Sequence, residues 1–229
     1  MGNLSDIMEV KIVKYVQLKN DNVSFRHFLY VCRVMTMQQE NIREEIILSA
    51  MKVFETYGFT RVSMQDISKA CGKGRSTLYY YFTSKMDVFD AITECLCQQV
   101  FTKAKESYSR EASLEENLVS FLSAKLHQIN LIIKRFNLAF EDMKSDPALM
   151  ISKTRYMLND EIKLIRDMIE MAIAKVEIQF LEEKDILFLA EMLVTTSRCF
   201  EQEVLLFDRF PDFEARLAWL ISICVKGLK

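Results

Sequence analysis

The chain has 229 residues, of which half are hydrophobic and 27% are charged, and its net charge is −2. This is an ordinary globular composition, which excludes a disordered or collagen-like chain and gives no general sign of a nucleic-acid partner. Only five glycines and two prolines are present, so an all-β fold with many tight turns is disfavoured and long helices are expected.

Membrane, secretory and metal-binding roles find little support in the sequence. No apolar run reaches the roughly 18 residues of a membrane-spanning helix, and Met1–Asp6 lack the basic and apolar regions of a secretory signal. The six cysteines form no CxxC pair and only two histidines are present, so no metal or other cofactor is expected. We expect a cytoplasmic protein with reduced, mostly buried thiols.

The first 37 residues carry no clear helix signal. Residues 1–37 have mixed charge and short apolar clusters, without a capping pattern at either end. We expect a peripheral or poorly ordered extension. An additional helix and an upstream reading-frame artefact are the alternatives.

Two helices with clear local signals follow. Apolar residues recur at spacings of three and four up to Gly58, which predicts an amphipathic helix over 38–57. Ser63 and Asp66 have the spacing of a capping box, in which each side chain bonds the other residue's backbone amide. This pattern predicts a short helix over 63–71.

A tight turn and a second short helix come next. The glycine-rich segment 72–74 can form the turn, and the apolar residues of 75–82 share one helical face. Ser84 and Asp87 repeat the capping-box spacing and predict the start of another helix.

The rest of the chain predicts four longer helices. Two residues help to mark where these helices begin and end: a proline that suits the first turn of a helix, and a glycine near the C-terminus. We expect helices at 114–143, 151–176, 185–207 and 211–225. The predicted fold class is all-α.

The order of elements in residues 42–89 fits a helix-turn-helix motif. In this motif the second short helix lies in the major groove of DNA, which is about 12 Å wide. A cation, hydroxyls and phenols on this helix can bind phosphates or base edges, and the N-terminus of the next helix favours a phosphate. The predicted DNA contacts are Arg75, Ser76, Thr77, Tyr79, Tyr80, Tyr81 and Lys85.

A packed corner of the fold is the alternative for a short helix rich in tyrosine. Two capping boxes, a glycine turn and basic residues in the expected order favour DNA binding instead.

Residues 42–89 also resemble the tetracycline-repressor (TetR) family of transcriptional regulators, whereas 90–229 agree with it only in length and helicity. The resemblance is carried by Ile46-Ile47, Gly58-Phe59, Ser63-Met64-Gln65-Asp66-Ile67, Gly72, Thr77-Leu78-Tyr79-Tyr80-Tyr81-Phe82 and Ser84-Lys85. It implies an N-terminal three-helix helix-turn-helix domain followed by a helical ligand-binding and dimerisation domain.

The resemblance also implies roles for single residues. It adds Ser63 and Gln65 to the DNA-contacting positions, and it gives Leu78 and Phe82 the task of holding the recognition helix. Three residues depart from the family pattern: Val62, Ser68 and Lys73. Lys73 either adds a phosphate contact, and we include it among the DNA-binding candidates, or loosens the turn.

The charge is distributed unevenly along the chain. Residues 41–85 carry seven Lys/Arg and four Asp/Glu, and 1–40 carry five and four, so 86–229 have a net charge of −6. A basic head on an acidic body is expected if only the head approaches DNA. We divide the chain into the extension 1–37, which could also be an arm for the minor groove, a DNA-binding domain 38–85 and an effector-binding and dimerisation domain beyond it.

The last two predicted helices are apolar on more than one side, which indicates that they are covered. The resemblance implies a four-helix bundle between two subunits, and a dimer is expected because one recognition helix reads few bases. A monomer core is the alternative. The predicted interface comprises Phe188, Met192, Phe200, Val204, Phe207, Phe213, Leu217, Leu220, Ile221 and Cys224.

The middle helices carry many large flexible or aromatic side chains, which suit an adaptable apolar pocket. The resemblance implies a small, largely apolar effector that changes the spacing of two recognition helices. Ordinary core packing is the alternative for each residue. The predicted pocket comprises Phe121, His127, Phe136, Phe140, Met143, Met150, Tyr156, Met157, Met168 and Met171.

Together these features predict a sequence-specific DNA-binding regulator, a repressor that a small apolar effector releases from a near-palindromic operator. The alternative is a helical protein-interaction module that uses the helix-turn-helix for protein contact, and the salt dependence of binding separates the two. An enzyme is disfavoured because the chain lacks a phosphate-binding loop, a nucleophile motif and metal-ligand spacing.

Overall fold

A computed structural model describes the backbone of residues 22–144, 154–207 and 209–229, and the side chains of these residues except 22–38, 154 and 155. The chain divides into two compact units, Met1–Ile46 and Ile47–Lys229. Every contact, surface and cavity considered below lies in the second unit. The first 21 residues of the predicted extension lie outside the described residues.

The described residues form nine α-helices and one 3₁₀ turn, without a β-strand among them. The all-α prediction is confirmed. The helices are α1 (Asn22–Tyr57), α2 (Met64–Cys71), α3 (Arg75–Tyr81), α4 (Lys85–Lys105), α5 (Leu114–Arg135), α6 (Asn137–Lys144), α7 (Leu158–Ala174), α8 (Glu183–Phe207) and α9 (Phe213–Lys226), with the 3₁₀ turn at Thr154–Met157.

The short helices begin and end where the sequence predicts. The Ser63 hydroxyl accepts from the Asp66 N–H at 3.3 Å, and the Asp66 carboxylate accepts from the Ser63 N–H at 3.0 Å. Gly72 ends α2 with a φ of +64°, which side chains rarely tolerate. Ser84 and Asp87 form the equivalent box before α4, so both predicted capping boxes are confirmed.

α1 begins earlier than the sequence predicts. The predicted helix starts at residue 38, whereas the helical backbone starts at Asn22. Residues before 38 lack a clear amphipathic period, but no glycine or proline interrupts the chain between Asn22 and Tyr57. The longer helix therefore agrees with the absence of glycine and proline from this segment, and not with a continuous apolar stripe.

The prediction of a single helix over 114–143 is wrong. The helix breaks at Phe136, where φ is −104° and ψ is +34°, and α6 begins at the next residue. Asn137 contributes to the break because its side-chain Oδ1 accepts from the Leu138 N–H at 2.8 Å, a local bond that competes with helical ones. Phe136 itself is buried, so the break is fixed by packing.

One hydrophobic core joins α4, α5, α7, α8 and α9. Phe121, Ile165 and Val194 are fully buried within it. Buried Asn117 donates to the carbonyls of Ser109 and Ala112 at 2.9 and 3.3 Å, which fastens the loop before α5 to the core. None of the helices in the described ranges is long and apolar enough to cross a membrane.

The prediction of mostly buried thiols is wrong for the cysteines whose side chains are described. Cys95, Cys199 and Cys224 are exposed, whereas Cys71 and Cys97 are half-buried, and none of the five forms a disulfide. The exposed three lie on the solvent-facing sides of α4, α8 and α9.

Candidate nucleic-acid interface and ligand cavity

α3 is anchored by two apolar side chains and presents polar groups on its other side. Leu78 is fully buried and Phe82 is 3% exposed, so both pack beneath the helix. Residues 79 and 80 lie one helical turn after residues 75 and 76. A cation, a hydroxyl and two phenols therefore share a solvent-facing side of the helix. These exposed residues are Arg75, Ser76, Tyr79 and Tyr80.

Two other predicted contacts lie at the margin of this surface. Thr77 and Tyr81 are half-buried. The ring of Tyr81 meets that of Tyr80 edge to face, with centroids 5.0 Å apart. Tyr81 therefore supports the position of the exposed Tyr80 ring.

A side chain of α2 orients Arg75. The Arg75 guanidinium donates to Oε1 of Gln65 at 2.9 Å, and both side chains are exposed. The bond restricts the rotamers of Arg75 and brings the predicted contacts of α2 and α3 together. Ser63, at the start of α2, is also exposed, although its hydroxyl already donates to Asp66 at 2.6 Å.

Lys85 ties α4 to the turn after α1. Its ammonium donates to the carbonyl oxygens of Phe59 and Thr60 at 2.8 and 3.4 Å, and it lies 4.4 Å from the centroid of the Phe59 ring. These bonds take up two of its three N–H donors. A phosphate contact from Lys85 would therefore use the remaining donor.

The turn after α1 is also bonded to the region around α6. The Thr60 N–H donates to Oδ2 of Asp142 at 2.7 Å. Near the end of α5, Arg135 pairs with Glu55 of α1 at 2.8 Å. The helix-turn-helix segment is thus linked to the helical body by two charge-assisted contacts.

A cavity of about 210 Å³ lies in the helical body. Its wall is mostly aliphatic and aromatic, including Phe89, Ile129 and Leu205. The size exceeds the roughly 150 Å³ of an apolar cavity known to take up benzene. It therefore suits a small apolar molecule.

Four charged side chains interrupt this apolar wall. Lys125 pairs with Glu161 at 2.9 Å and with Glu201 at 2.8 Å, and Arg198 pairs with Glu161 at 3.0 Å. All four are largely buried and all four line the cavity. We refer to Lys125, Glu161, Arg198 and Glu201 as the charged quartet.

The predicted pocket residues fall into several places. Phe136, Phe140, Met143 and Met157 line the cavity. Phe121 and Met168 lie in the hydrophobic core instead, and half-buried Met171 accepts a hydrogen bond from the Tyr108 hydroxyl at 3.5 Å. His127 and Tyr156 are exposed, and Met150 lies outside the described residues.

Comparison with known proteins identifies the family. The model of the tetR family of bacterial regulatory proteins matches residues 46–92, which contain the helix-turn-helix. The HTH-type transcriptional regulator YhgD of Bacillus subtilis is 30% identical over 101 residues, which are 42% of this chain and 53% of that protein. The helix-turn-helix segment, residues 46–92, belongs to the TetR family. The chain spans about half the length of this curated relative.

Solved structures of transcriptional regulators share the fold. The transcriptional regulator FadR from Bacillus subtilis in complex with stearoyl-CoA gives a TM-score of 0.56 at 20% identity, over 81% of this chain and 99% of that chain. A regulator from Cytophaga hutchinsonii gives 0.55 at 18% identity, over 81% and 97%. The predicted family and fold class are confirmed. Because the family consists of regulators, the prediction of a non-enzymatic protein is also confirmed.

Two of the three departures from the TetR pattern contact each other. The Ser68 hydroxyl donates to the backbone carbonyl of Lys73 at 2.7 Å, which fastens the end of α2 to the turn before α3. The side chain of Lys73 is half-buried. Val62, the third departure, is 3% exposed, so an apolar residue packs well there.

The residues predicted for the TetR-type dimer interface divide into three sets. Phe188, Met192, Phe207 and Cys224 are exposed, whereas Leu217 and Ile221 lie in the core. Phe200 stacks on Phe213 within the chain at 5.1 Å. The remaining half-buried residues are Val204 and Leu220.

Sequence reasoning missed the exposed Trp219 and Ile223 of α9 and the charged quartet. Trp219 and Ile223 lie on the side of α9 opposite the buried Leu217 and Ile221, and a wider apolar count would have included them. The sequence feature that could have indicated the charged quartet is a charged residue within an apolar helical stripe. Lys125 follows Leu118, Phe121 and Leu122 at helical spacing.

Proposed function

We propose that the chain is a DNA-binding transcriptional regulator that uses α3 as its recognition helix. The observation that carries the proposal is the exposed polar side of α3, with Arg75 held by Gln65. Arginine in this orientation can fork onto a guanine edge, and the tyrosine hydroxyls can reach phosphates. The TetR-family membership of this segment supports the same role.

The regulator would act as a homodimer on a near-palindromic operator. Phe188 and Met192 on α8, and Trp219 on α9, are exposed apolar side chains on the sides of these helices that face away from the core. A second copy would bury them, since large exposed apolar patches mark interaction surfaces. Dimerisation would also place two recognition helices on successive major grooves.

A small, largely apolar effector in the cavity would release the repressor from its operator. The supporting observation is that α6 contributes to the cavity wall through Ala139, Phe140 and Met143 and also bonds the turn after α1 through Asp142. A ligand that displaces α6 therefore acts on the helix-turn-helix. FadR of Bacillus subtilis, a fold relative, is described in complex with stearoyl-CoA.

Selection of bound DNA from a random pool, followed by fluorescence anisotropy with the selected duplex, tests the DNA-binding role. We expect Arg75→Ala and Tyr80→Ala each to weaken specific binding by about 1–3 kcal/mol, or roughly 5- to 150-fold. Arg110→Ala, an exposed arginine outside the helix-turn-helix, is the matched control and should bind normally.

Salt provides a second readout of the same role. Affinity for DNA should fall steeply with rising salt because bound cations are released from phosphates. Recovery of no preferred sequence, together with salt-independent binding to a protein partner, would favour the helical interaction module instead.

A further inference from the structure

The charged quartet gives the cavity a polar site whose net charge is zero. Two cations, Lys125 and Arg198, face two carboxylates, Glu161 and Glu201, at distances of 2.8–3.0 Å. A buried ion pair between well-packed apolar residues brings little net stability, because desolvation offsets the attraction. Stability alone is thus a weak reason for placing four charges on an apolar cavity wall.

The charge states of the quartet follow from mutual pairing. Burial alone would lower the pKa of Lys125, but Glu201 and Glu161 together hold it above its ordinary value, so the ammonium is charged. Burial raises the pKa of Glu201, against the pull of Lys125. Removing either Lys125 or Glu201 would therefore leave the other side chain without its compensating charge.

The Lys125 ammonium has one donor left for a ligand. The Lys125 ammonium has three N–H groups, of which two point at Glu161 and Glu201. The third has no acceptor among the residues that the structure describes. Two neutral polar side chains, Thr93 and Gln202, also line the cavity.

We propose that the effector is an uncharged amphiphile: a hydrocarbon chain or ring that carries one hydroxyl or carbonyl oxygen. The hydrocarbon part fills the apolar cavity, and the oxygen accepts the third N–H of Lys125. This inference rests on the proposed effector role of the cavity and specifies the chemical class of its ligand.

Charged ligands fit the site less well. A carboxylate would add a negative charge to a site whose two cations and two carboxylates already pair with one another. An ammonium ligand would need a carboxylate acceptor, and Lys125 and Arg198 already engage both Glu161 and Glu201. Burying an uncompensated charge is costly in either case.

Three decyl compounds that differ only in the head group test the proposal: 1-decanol, decanoate and decylammonium. Each is titrated at pH 7, without DNA, against the full chain loaded with the neutral fluorescent probe N-phenyl-1-naphthylamine. We expect 1-decanol to displace the probe with at least about tenfold higher affinity than either ion. Equal affinities, or tighter binding of decanoate or decylammonium, would overturn the proposal.

Two substitutions on α5 locate the binding site. Ile129 lines the cavity, whereas Leu131 on the same helix is exposed and does not. We expect Ile129→Trp to abolish displacement by 1-decanol and Leu131→Trp to leave it unchanged. Binding that survives Ile129→Trp would place the ligand elsewhere and overturn the assignment.

A variant of the quartet tests the charge argument directly. Glu201→Gln keeps the shape and an oxygen acceptor for Lys125 but removes one negative charge, so the site becomes net positive. We expect the preference to shift from 1-decanol to decanoate by about tenfold or more. An unchanged preference would contradict the role of charge balance.

Binding of the three decyl compounds distinguishes the head-group preference from the effector role of the cavity. If all three compounds bind equally in the wild-type cavity, the head-group inference fails while the effector role stands. If none of them binds, both the inference and the effector role fail. Operator binding is measured separately and without ligand, so neither result bears on it.

Discussion

The backbone N–H of Thr60 donates to Oδ2 of Asp142 at 2.7 Å, across 82 residues of sequence. This bond joins the turn after α1 to α6. The neighbours of Asp142 on α6, Phe140 and Met143, line the cavity. We expect this bond to carry part of any movement of the cavity wall to the helix-turn-helix, alongside the Arg135–Glu55 ion pair.

Asp142→Ala should reduce the response to a cavity ligand while operator binding without ligand changes little. Effectors typically change affinity at a second site by about 5- to 150-fold. We expect the ratio of operator dissociation constants with and without 1-decanol to fall toward one in the variant. Fluorescence anisotropy at fixed salt measures both constants.

The matched control for this prediction is Glu141→Ala. Glu141 precedes Asp142 on α6 and its side chain is exposed, so it should leave the ratio unchanged. A wild-type ratio in Asp142→Ala, or an equal loss in the control, would contradict transmission through this bond.

Alanine substitutions at Gly58 and Gly72 distinguish the free-energy cost of a left-handed backbone from that of a steric clash. Both have positive φ, at +77° and +64°. A Cβ at Gly72 would meet nothing within 4 Å, whereas one at Gly58 would lie 2.7 Å from Oδ2 of Asp142. We expect Gly72→Ala to cost about 1–2 kcal/mol of unfolding free energy, and Gly58→Ala about 1–3 kcal/mol more. Urea denaturation measures both.

The extra cost of Gly58→Ala should shrink when Asp142 is replaced as well, because only the looser contact with Leu138, at 3.3 Å, then remains. In a double-mutant cycle with Asp142→Ala, residues in contact show a coupling that independent residues do not. Additive effects would mean that the clash is relieved by some other movement.

The features that the sequence predicts well are those with local causes. Ser63 with Asp66 and Ser84 with Asp87 set helix starts within one turn, and Gly72 ends α2 by its backbone conformation alone. Such signals require only neighbouring residues, which explains why the helix-turn-helix is predicted almost to the residue.

The features that the sequence does not predict depend on distant partners. Lys125 and Glu161 are 36 residues apart and lie on different helices, so no local pattern pairs them. No glycine or proline marks the break at Phe136, which combines the local Asn137 bond with the burial of Phe136. Burial divides the predicted pocket in the same way: a methionine or phenylalanine at helical spacing can face a cavity, as Met143 does, or the core, as Met168 does.

Phe188→Glu should weaken dimerisation. Phe188 is 64% exposed on α8, and a carboxylate buried in an apolar interface would lose its hydration. Loss of a central interface anchor costs about 2 kcal/mol or more, or roughly 30-fold in the dissociation constant. Light scattering should show twice the chain mass of 26.8 kDa for the wild type and a lower mass for the variant at the same concentration.

Phe180→Glu is the control for the dimer prediction. Phe180 is even more exposed, at 80%, but it lies in the loop before α8 rather than on the outer side of α8 or α9. We expect it to leave the mass unchanged. A monomeric wild type would contradict the proposed homodimer directly.

Asp87→Asn should remove an acid-sensitive contribution to the stability of the helix-turn-helix. Hydrogen bonds from Thr83 and Ser84 hold the pKa of Asp87 below its ordinary value of 3.8. Because the folded pKa is lower than the unfolded one, the carboxylate stabilises the fold above about pH 3.8, and this contribution is lost as the pH falls through the folded pKa. The difference in unfolding free energy between wild type and variant should therefore be largest at pH 7 and shrink toward pH 3. A difference for Asp87→Asn that stays constant across this pH range would contradict the capping role of its charge.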